Sequence, residues 1–384
     1  MNQTQTAFVQ AVGPKVDRKN RQIWRKVETD AFRDDPNHIP GHVPRGRKGG
    51  KTEFFFLYSN GEPVGKASVV VDSGWLSAEE KADNVGFIDD FVILPDQKHL
   101  AGILIDHCVS VLKTKGAAAV IVRSESFPAL AAQDFNDLPP GSLPTNPPWY
   151  IELFEQRGFV KQQEWANFRL TLPQNVPQAE LDRWEALRFS QGLEIKRLGA
   201  RNRKELKQYA DVVYEVFSGH YGYNPSRSHP FAKFLLFAMA NLIARYRIYV
   251  VRSQSGEILG FFSYHPDYNI ARKALAKYYN IKWYDYLALL RVVPDLLRPV
   301  RTAKRAAGGG FGFREESRRK GLIRSMDSAL QGVIEEGYEQ LDTGSVLIDN
   351  AVVVKMIQRT GKKYGVKVQQ MKYYTLKYEF QPTT

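Results

Sequence analysis

The sequence has very little cysteine: Cys108 is the single one among 384 residues. One thiol cannot form an intramolecular disulfide, and zinc or iron–sulfur sites built from clustered cysteines are excluded with it. No apolar run approaches the roughly 20 residues that a membrane-spanning helix needs. The N-terminal stretch MNQTQTAFVQAVGPKVDRKN also lacks the apolar core of a signal peptide. These absences predict a cytoplasmic protein with no membrane segment and no bound metal.

Positive charge is concentrated in the second half of the chain. Residues 201–384 hold 30 basic and 16 acidic side chains, a net charge of +14, whereas residues 51–200 carry a net charge of −6. A positive field of this size attracts polyanions, either a nucleotide cofactor or a nucleic acid. The alternative is a lysine-rich surface that only keeps the protein soluble, because charge of this kind argues for association and not for a fold.

Hydrophobic periodicity and turn residues divide the first half into short elements. Residues 18–50 are interpreted as one helix and a Gly/Pro-rich loop, and Asn60-Gly61 predicts a hairpin turn inside 52–72. The following elements alternate: a strand at 85–94, a helix at 99–116, a strand at 117–125, a helix at 146–159 and a strand at 164–173. This alternation is typical of a sheet flanked by helices.

The second half repeats this order with almost no sequence identity. Its predicted elements are helices at 201–222 and 229–246, a hairpin at 246–266, a helical insertion at 279–305, a strand at 341–348, a helix at 350–360 and a strand at 371–380. We therefore predict two α+β domains in tandem, at 1–172 and 196–384, joined by a linker and helix at 173–195. Divergent duplication explains the repeated order most simply, and coincidence is the alternative.

A strongly basic turn lies in the second half, within FGFREESRRKGLIRSMDSAL (311–330). The pattern predicts a strand that leads into a helix, with the basic residues and Gly321 at the junction. Unpaired N–H groups and the helix dipole attract an anion at such a junction, and glycine lets the backbone come close to it. We interpret the turn as a phosphate or pyrophosphate site; the alternative is a solvated run of charge.

A turn in each half resembles the coenzyme A turn of the GNAT superfamily of acyltransferases, whose pattern is Arg/Gln-x-x-Gly-x-Gly/Ala. Residues 318–323, RRKGLI, match the Arg and the first Gly, and residues 97–102, QKHLAG, match the Gln and the last Gly. DDFVILPD (89–96) and NPPWYIELFEQRGF (146–159) are similar to the family's fourth strand and penultimate helix. The resemblance covers most of the chain, as two GNAT-like domains in tandem, and is closest to bacterial two-GNAT-domain proteins.

The resemblance implies an N-acyltransferase that moves an acyl group from acyl-CoA, such as acetyl-CoA, to the amine of a small molecule. The backbone at Gly312 and Phe313 would donate to the oxyanion that forms at the thioester carbonyl. Asp90 lies where the family often has its base. The family's usual Tyr acid is missing, since Phe154 stands at its position, and Tyr150 lies one turn away. The residues expected to bind the cofactor are Arg318, Arg319, Lys320, Gly321, Leu322, Ile323, Asn350, Gln97 and Gly102.

Two other functions fit the same fold. Some tandem GNAT relatives, such as the Fem-type peptidyltransferases, take an aminoacyl group from tRNA, and the basic second half with aromatic residues at 278–286 would suit RNA. The incomplete turns and the missing Tyr acid instead suit a degenerate, non-catalytic GNAT pair that binds a ligand. The sequence leaves open the donor, the acceptor and the choice between a monomer and a homodimer.

Overall fold

A computed structural model describes most of the chain. The described residues are 6–13, 16–35, 38, 52–76, 82–124, 127–134, 137, 143–199, 202–217, 245–269, 294, 298 and 300–380. They form two compact units, one from the described parts of Met1–Trp165 and Lys372–Thr384 and the other from those of Ala166–Met371. Two strands, Val160–Thr171 and Val368–Glu379, are therefore divided between the units.

The first unit is built on a sheet with both parallel and antiparallel neighbours. Its strands are β1 (Ala7–Gly13), β2 (Thr52–Ser59), β3 (Glu62–Leu76), β4 (Ala82–Ile93), β5 (Ala119–Arg123), the short β6 (Leu130–Ala131) and the C-terminal part of β13 (Val368–Glu379). β1 to β4 are antiparallel neighbours, β5 runs parallel to β4, and β13 runs antiparallel to β5. The predicted hairpin is confirmed, because Asn60 and Gly61 both have positive φ between β2 and β3.

Helices cover both faces of this sheet. They are α1 (Arg18–Ala31), α2 (Ala101–Thr114) and α3 (Trp149–Glu155). Successive strand residues point to opposite faces, so Phe54 and Phe56 pack with Trp24 of α1. Phe55 and Leu57 belong instead to the core that includes α2 and α3. The four consecutive apolar residues of β2 are thus explained by burial on both faces.

The second unit repeats this architecture. Its strands are β7 (Val160–Thr171, of which Ala166–Thr171 belongs to this unit), β8 (Glu194–Arg197), β9 (Arg247–Arg252), β10 (Ile258–Pro266), β11 (Arg305–Phe313) and β12 (Gln340–Leu347). The strand order is β7-β12-β11-β10-β9-β8. β8 to β11 are antiparallel neighbours, and β12 runs parallel to β11.

Helices also cover both faces of the second sheet. They are α4 (Gln178–Gln191), α5 (Arg203–Phe217), α6 (Glu315–Arg319), α7 (Ser325–Glu335) and α8 (Ala351–Tyr364). Phe261 of β10 packs with Val212 of α5, and the next residue, Phe262, packs with Val333 of α7. The sheet therefore has an α5 face and an α7 face, and these names are kept below.

The two α+β units agree with the predicted fold class. The predicted linker at 173–195 forms α4 and belongs to the second unit, Ala166–Met371. The predicted helix at 229–246 lies almost entirely outside the described residues, and the insertion at 279–305 lies mostly outside them. The aromatic residues at 278–286 lie wholly outside them. Within the described ranges, no helix has both the length and the apolar character needed to cross a bilayer.

Candidate functional site

In the second unit, a cavity opens where the two parallel strands part. β11 and β12 are paired from Arg305 opposite Gln340 to Ala307 opposite Asp342, and both strands then continue without this pairing. A cavity of about 90 Å³ lies beyond the last pair. Its walls come from both strands, the α7-facing side of β10, α7 and α8, and they are mainly apolar: Leu170, Phe262, Tyr264, Phe311, Met326, Leu330, Met356 and Ile357 are among them.

A β-bulge borders this cavity. Ser263 of β10 lies opposite Gly310 and Tyr264 lies opposite Gly308, so Gly309 is an extra residue in β11. A Cβ atom on Gly309 would lie 2.2 Å from the Tyr246 hydroxyl oxygen, which explains why this position is glycine. The extra residue of a bulge is left out of the ladder, and both neighbours, Gly308 and Gly310, line the cavity. The backbone of Gly309 is therefore left out of the ladder register beside the cavity.

The predicted oxyanion donors lie further along the same strand. Gly312 is paired with Phe261 and Phe313 with Gly260 in regular register. Gly312 is also closely packed, since a Cβ there would lie 2.5 Å from a methyl carbon of Val216. The irregular backbone that could face a reacting carbonyl is at Gly309, three residues before the position that the sequence indicated.

Polar side chains gather on the α5 face of the bulge. The Tyr246 hydroxyl donates to Ser263 Oγ at 3.1 Å, and Ser263 Oγ donates to the carbonyl oxygen of Gly310 at 3.2 Å. The His265 ring lies between the rings of Tyr246 and Tyr268, at centroid distances of 5.4 and 4.5 Å. Sequence reasoning missed this group because its side chains, spread over residues 246–268, form no motif.

His265 is held as a neutral imidazole with a defined tautomer. Its Nδ1 lies 2.7 Å from the carbonyl oxygen of Pro266, which can only accept, so Nδ1 carries the hydrogen and Nε2 the lone pair. Burial lowers the pKa of His265, because it disfavours the charged form. Burial also raises the pKa of the Tyr246 phenol, although the hydrogen bond to Ser263 lowers it. Both groups are therefore uncharged near neutral pH.

The basic turn follows β11 as a short helix and a left-handed glycine. α6 ends at Arg319, Gly321 has φ of 72°, and a single 3-10 turn at Leu322–Arg324 leads into α7. A Cβ on Gly321 would meet no atom within 4 Å, so the backbone conformation, and not a close neighbour, requires glycine here. The turn therefore has open space beside it.

The predicted cofactor residues of the turn have different surroundings. Arg318 is exposed, but its Nε donates to the carbonyl oxygen of Phe313 at 2.9 Å. Lys320 and Arg324 are exposed, Ile323 is half-buried and Leu322 is fully buried in the core. The side chain of Arg319 is outside the described part of the chain, and Asn350 is exposed at the N-terminus of α8. Lys320 and Arg324 are thus exposed cations close to the start of α7.

A buried ionic network holds the strands together just before they part. Asp342 accepts hydrogen bonds from Arg169 Nε at 2.9 Å and Asn167 Nδ2 at 3.2 Å, and Arg305 Nε lies 3.5 Å away. Arg305 also donates to Asp267 at 2.8 Å. Burial raises the pKa of Asp342 and outweighs the guanidinium groups of Arg169 and Arg305, which lower it. The network fixes the last paired position of β11 and β12.

In the first unit, the equivalent gap between β4 and β5 is filled. The strands are paired from Val85 opposite Ala119 to Asp89 opposite Arg123. Beyond this point the buried Tyr150 hydroxyl accepts a hydrogen bond from the backbone N–H of Ile93 at 3.2 Å, and burial raises its pKa. Tyr150 packs with Phe91 and does not line the cavity of the second unit.

The first unit's predicted cofactor turn is also covered. It forms a 3-10 helix at Pro95–Leu100, and Gln97 donates to Asp96 at 3.2 Å. A Cβ on Gly102 would lie 1.7 Å from Nη2 of Arg157, so that guanidinium group lies directly over the glycine. Arg157 is also 3.1 Å from Asp106. The sequence could not reveal Arg157, which lies some 50 residues away from the turn.

Asp90 also lies at a bulge, on the α1 face of the first sheet. The register of β3 and β4 shifts between Lys66 and Ser68, and Asp90 has φ of 54°. Its Oδ2 accepts from Ser68 Oγ at 3.3 Å, whereas Asp89 on the other side pairs with Arg123. The structure thus places the two neighbouring acidic residues on opposite sides of the strand. Among the described residues, no group of three or more His, Cys, Asp or Glu side chains is arranged to hold a metal ion.

No family model matches the chain, and no curated protein matches it. Among solved structures, the chain is similar to the GCN5-related glucosamine N-acetyltransferase region of a fungal multi-domain GH3 β-N-acetylglucosaminidase, with a TM-score of 0.58 and 12% identity over 97% of this chain. The chain spans 38% of that protein's length. It is also similar to a tandem GNAT protein from the clavulanic acid biosynthesis pathway, with a TM-score of 0.54, 12% identity and coverage of 98% of this chain and 100% of the other. The two α+β units of this chain therefore have the fold of a tandem GNAT protein, as the motifs predicted.

Proposed function

We propose that the second unit is an N-acyltransferase that takes its acyl group from acyl-CoA and passes it to the amine of a small molecule. The observation that carries this proposal is the cavity beyond the last pair of β11 and β12, bordered by the bulge at Gly309. An apolar space and a backbone segment outside the regular ladder register, at Gly309, lie at one place there. Acyl transfer needs this combination, because the thioester must be held while its carbonyl oxygen becomes an oxyanion.

The cavity is too small for a whole cofactor. Its volume is about 90 Å³, whereas sites that enclose a drug-sized ligand measure roughly 300–1,000 Å³. Only the acyl end of the donor would enter it, next to Phe311 and Thr343. The diphosphate would lie outside, at the open turn beside Gly321, where Lys320 and Arg324 are exposed near the start of α7.

The acceptor amine would approach from the α5 face, opposite the donor. An amine attacks only in its neutral form, so a base is needed there. We assign this role to His265, whose Nε2 carries a lone pair because Nδ1 donates to Pro266. In the reaction, nitrogen bonds to the thioester carbon and the oxyanion forms near the Gly309 bulge. The carbonyl then re-forms as the C–S bond breaks, and the released thiolate takes a proton from solvent. His265 would accept the ammonium proton.

The test measures donor binding with a variant that fills the cavity. Thr360 of α8 lines the cavity and is half-buried. We expect the unmodified protein to bind acetyl-CoA in calorimetry and to release thiol with a panel of primary amines. Thr360→Phe should weaken donor binding by about tenfold or more, because its ring would occupy the cavity.

Thr360→Val is the matched control, since it keeps the side-chain volume and should bind the donor as the unmodified protein does. The proposal is abandoned if no acyl-CoA binds at millimolar concentration. It is also abandoned if Thr360→Phe binds the donor as tightly as Thr360→Val.

A second donor, aminoacyl-tRNA, is favoured by the charge of the second unit. Lys204 and Lys207 are exposed on α5, and residues 201–384 carry a net charge of +14. Phosphate contacts release counterions, so binding of tRNA through such residues falls steeply with salt. Filter binding of bulk tRNA at several salt concentrations separates the donors. A steep salt dependence that is reduced in Lys204→Ala/Lys207→Ala, together with no acetyl-CoA binding, would favour aminoacyl transfer.

A further inference from the structure

The cavity beyond the last pair of β11 and β12 extends into the core of the second unit. Ala329 and Val333 of α7 line it and are 4% and 2% exposed, and Leu341 of β12 lines it from the sheet. Ala329, Val333 and Tyr264 of β10 belong to one buried cluster, against which Leu341 packs. Gly310, next to the bulge residue, also lines the cavity. A group held at the bulge could therefore extend a chain into the buried core.

The walls of this cavity are apolar and include flexible side chains. Met326 of α7 and Met356 of α8 are both half-buried, and a methionine side chain adapts to an irregular space because it is unbranched. Among the described residues that line the cavity, only Asp327 carries a charge. Its Oδ2 lies 3.3 Å from Lys363 Nζ, and it accepts a hydrogen bond from the Tyr364 hydroxyl. The described lining residues thus supply no cation for an acidic group.

The cavity has the size of a short hydrocarbon chain. Its volume is about 90 Å³, and an apolar cavity of about 150 Å³ accommodates benzene, which corresponds to roughly 25 Å³ for each carbon. The cavity of the second unit therefore has room for about three or four carbons. An acetyl group places only a methyl group beyond its carbonyl and would leave most of this space empty. Empty apolar space is destabilising because its lining atoms lose their contacts, so a longer chain is the better match.

We propose that this cavity selects the acyl group of the donor and favours a chain of about four or five carbons over acetyl. This preference rests on the acyl transfer proposed above and narrows its donor to a short-chain acyl-CoA. The carbonyl would lie at the Gly309 bulge, and the alkyl chain would pass Met326 and Met356 towards Ala329 and Val333. Met356 and Ala329 are therefore specificity-determining residues, because they bound the space that the chain would fill.

The test measures, by calorimetry on the full chain, the binding of acetyl-CoA, butyryl-CoA, octanoyl-CoA and succinyl-CoA. Burying one CH₂ group strengthens binding by up to about fourfold, so butyryl-CoA should bind roughly tenfold more tightly than acetyl-CoA. Octanoyl-CoA should bind at least about fivefold more weakly than butyryl-CoA, because its chain exceeds the space available. Succinyl-CoA has as many acyl carbons as butyryl-CoA but ends in a carboxylate. It should bind at least about tenfold more weakly than butyryl-CoA, since the apolar walls do not satisfy the charge.

Two variants with opposite effects on the cavity volume test the assignment of its walls. Ala329→Leu fills part of the cavity, so the advantage of butyryl-CoA over acetyl-CoA should disappear. Met356→Ala enlarges the cavity, so octanoyl-CoA should gain at least about fivefold in affinity relative to butyryl-CoA. Val354→Ala is the matched control, because Val354 lies on the same helix and is half-buried but does not line the cavity. It should keep the order of affinities of the unmodified protein.

The proposal is overturned if the unmodified protein binds the four thioesters equally or binds acetyl-CoA or octanoyl-CoA most tightly. It is also overturned if Ala329→Leu and Met356→Ala both keep the unmodified order. These outcomes leave the acyl-transfer proposal standing, because a donor still binds, whereas no binding of any thioester overturns both. Since Ala329→Leu adds atoms and Met356→Ala removes them, a failure of one variant to fold leaves the other to decide.

Discussion

The two units differ at one corresponding place, the gap beyond the last pair of their parallel strands. In the first unit, the α3 residues Tyr150 and Phe154 fill the core there. The Tyr150 hydroxyl accepts a hydrogen bond from the backbone N–H of Ile93. In the second unit, the corresponding helix α8 supplies Met356, Ile357 and Thr360, which leave a cavity. The same fold is thus closed at this position in one copy and open in the other. Residues on the penultimate helix, and not the sheet, distinguish the copy with a cavity at this place from the copy without one.

Replacing the buried arginine at the strand junction of each unit should have the largest effect, and the effects should be unequal. Arg305→Met leaves Asp267 and Asp342, both 0% exposed, without their shared guanidinium group. We expect a loss of about 3–5 kcal/mol in the second unit, the usual cost of breaking a buried ion pair.

Arg123→Met in the first unit should cost less, about 1–3 kcal/mol. The reason is that its partner Asp89 has a side chain 16% exposed and can be hydrated. Hydrogen exchange of β12 peptides and β5 peptides measures the two units separately. Equal losses in both units would show that burial of the acidic partner is not what distinguishes them.

Acid should weaken the first unit through Glu28. Burial alone would raise its pKa, but Lys66 and His38 outweigh this effect and hold the pKa at about 2 in the folded protein, against 4.5 for the ordinary group. Its stabilisation is therefore complete above about pH 4.5 and is lost as pH falls towards 2. A shift of this size corresponds to about 3 kcal/mol.

In the second unit, burial shifts the pKa of Asp342 in the opposite direction, upwards. Protonation of this group as pH falls therefore favours the folded state. Between pH 5 and 2.5, hydrogen exchange of the unmodified protein should therefore show the first unit losing protection. In the Glu28→Gln variant, this acid-dependent loss of protection should be absent. An acid response that is identical in Glu28→Gln and the unmodified protein would contradict this assignment.

The smallest expected effect concerns two left-handed glycines at the ends of α7. Gly321 and Gly337 have φ of 72° and 85°, and a Cβ on either would meet no atom within 4 Å. Alanine at each should cost about 1 kcal/mol of stability, because alanine disfavours this backbone conformation. Only Gly321→Ala should also weaken acetyl-CoA binding in calorimetry, since only Gly321 shapes the turn before α7. If Gly337→Ala weakens donor binding equally, the turn has no special part in it.

The sequence predicted the element order and the glycine of the basic turn well, because both depend on local patterns. Asn60, Gly61 and Gly321 all have positive φ, and residue type alone predicts such positions. The bulge was harder to place, because the run of glycines in β11 offers several equivalent positions and the register of Ser263 decides between them. Two other features depend on packing between distant segments, which no local pattern reports. They are the position of Tyr150 in the gap of the first unit and the contact of Arg157 with Gly102.

The division of β13 between the units has a consequence for how the protein is made. Tyr373 and Lys377 pair with β6 and β5 of the first unit, although more than 200 residues separate them from those strands. Synthesis proceeds from the N-terminus, so the ribosome exposes the first unit's other strands long before this last one. The first unit must therefore wait, with the edge of β5 uncovered, until the second unit has been translated.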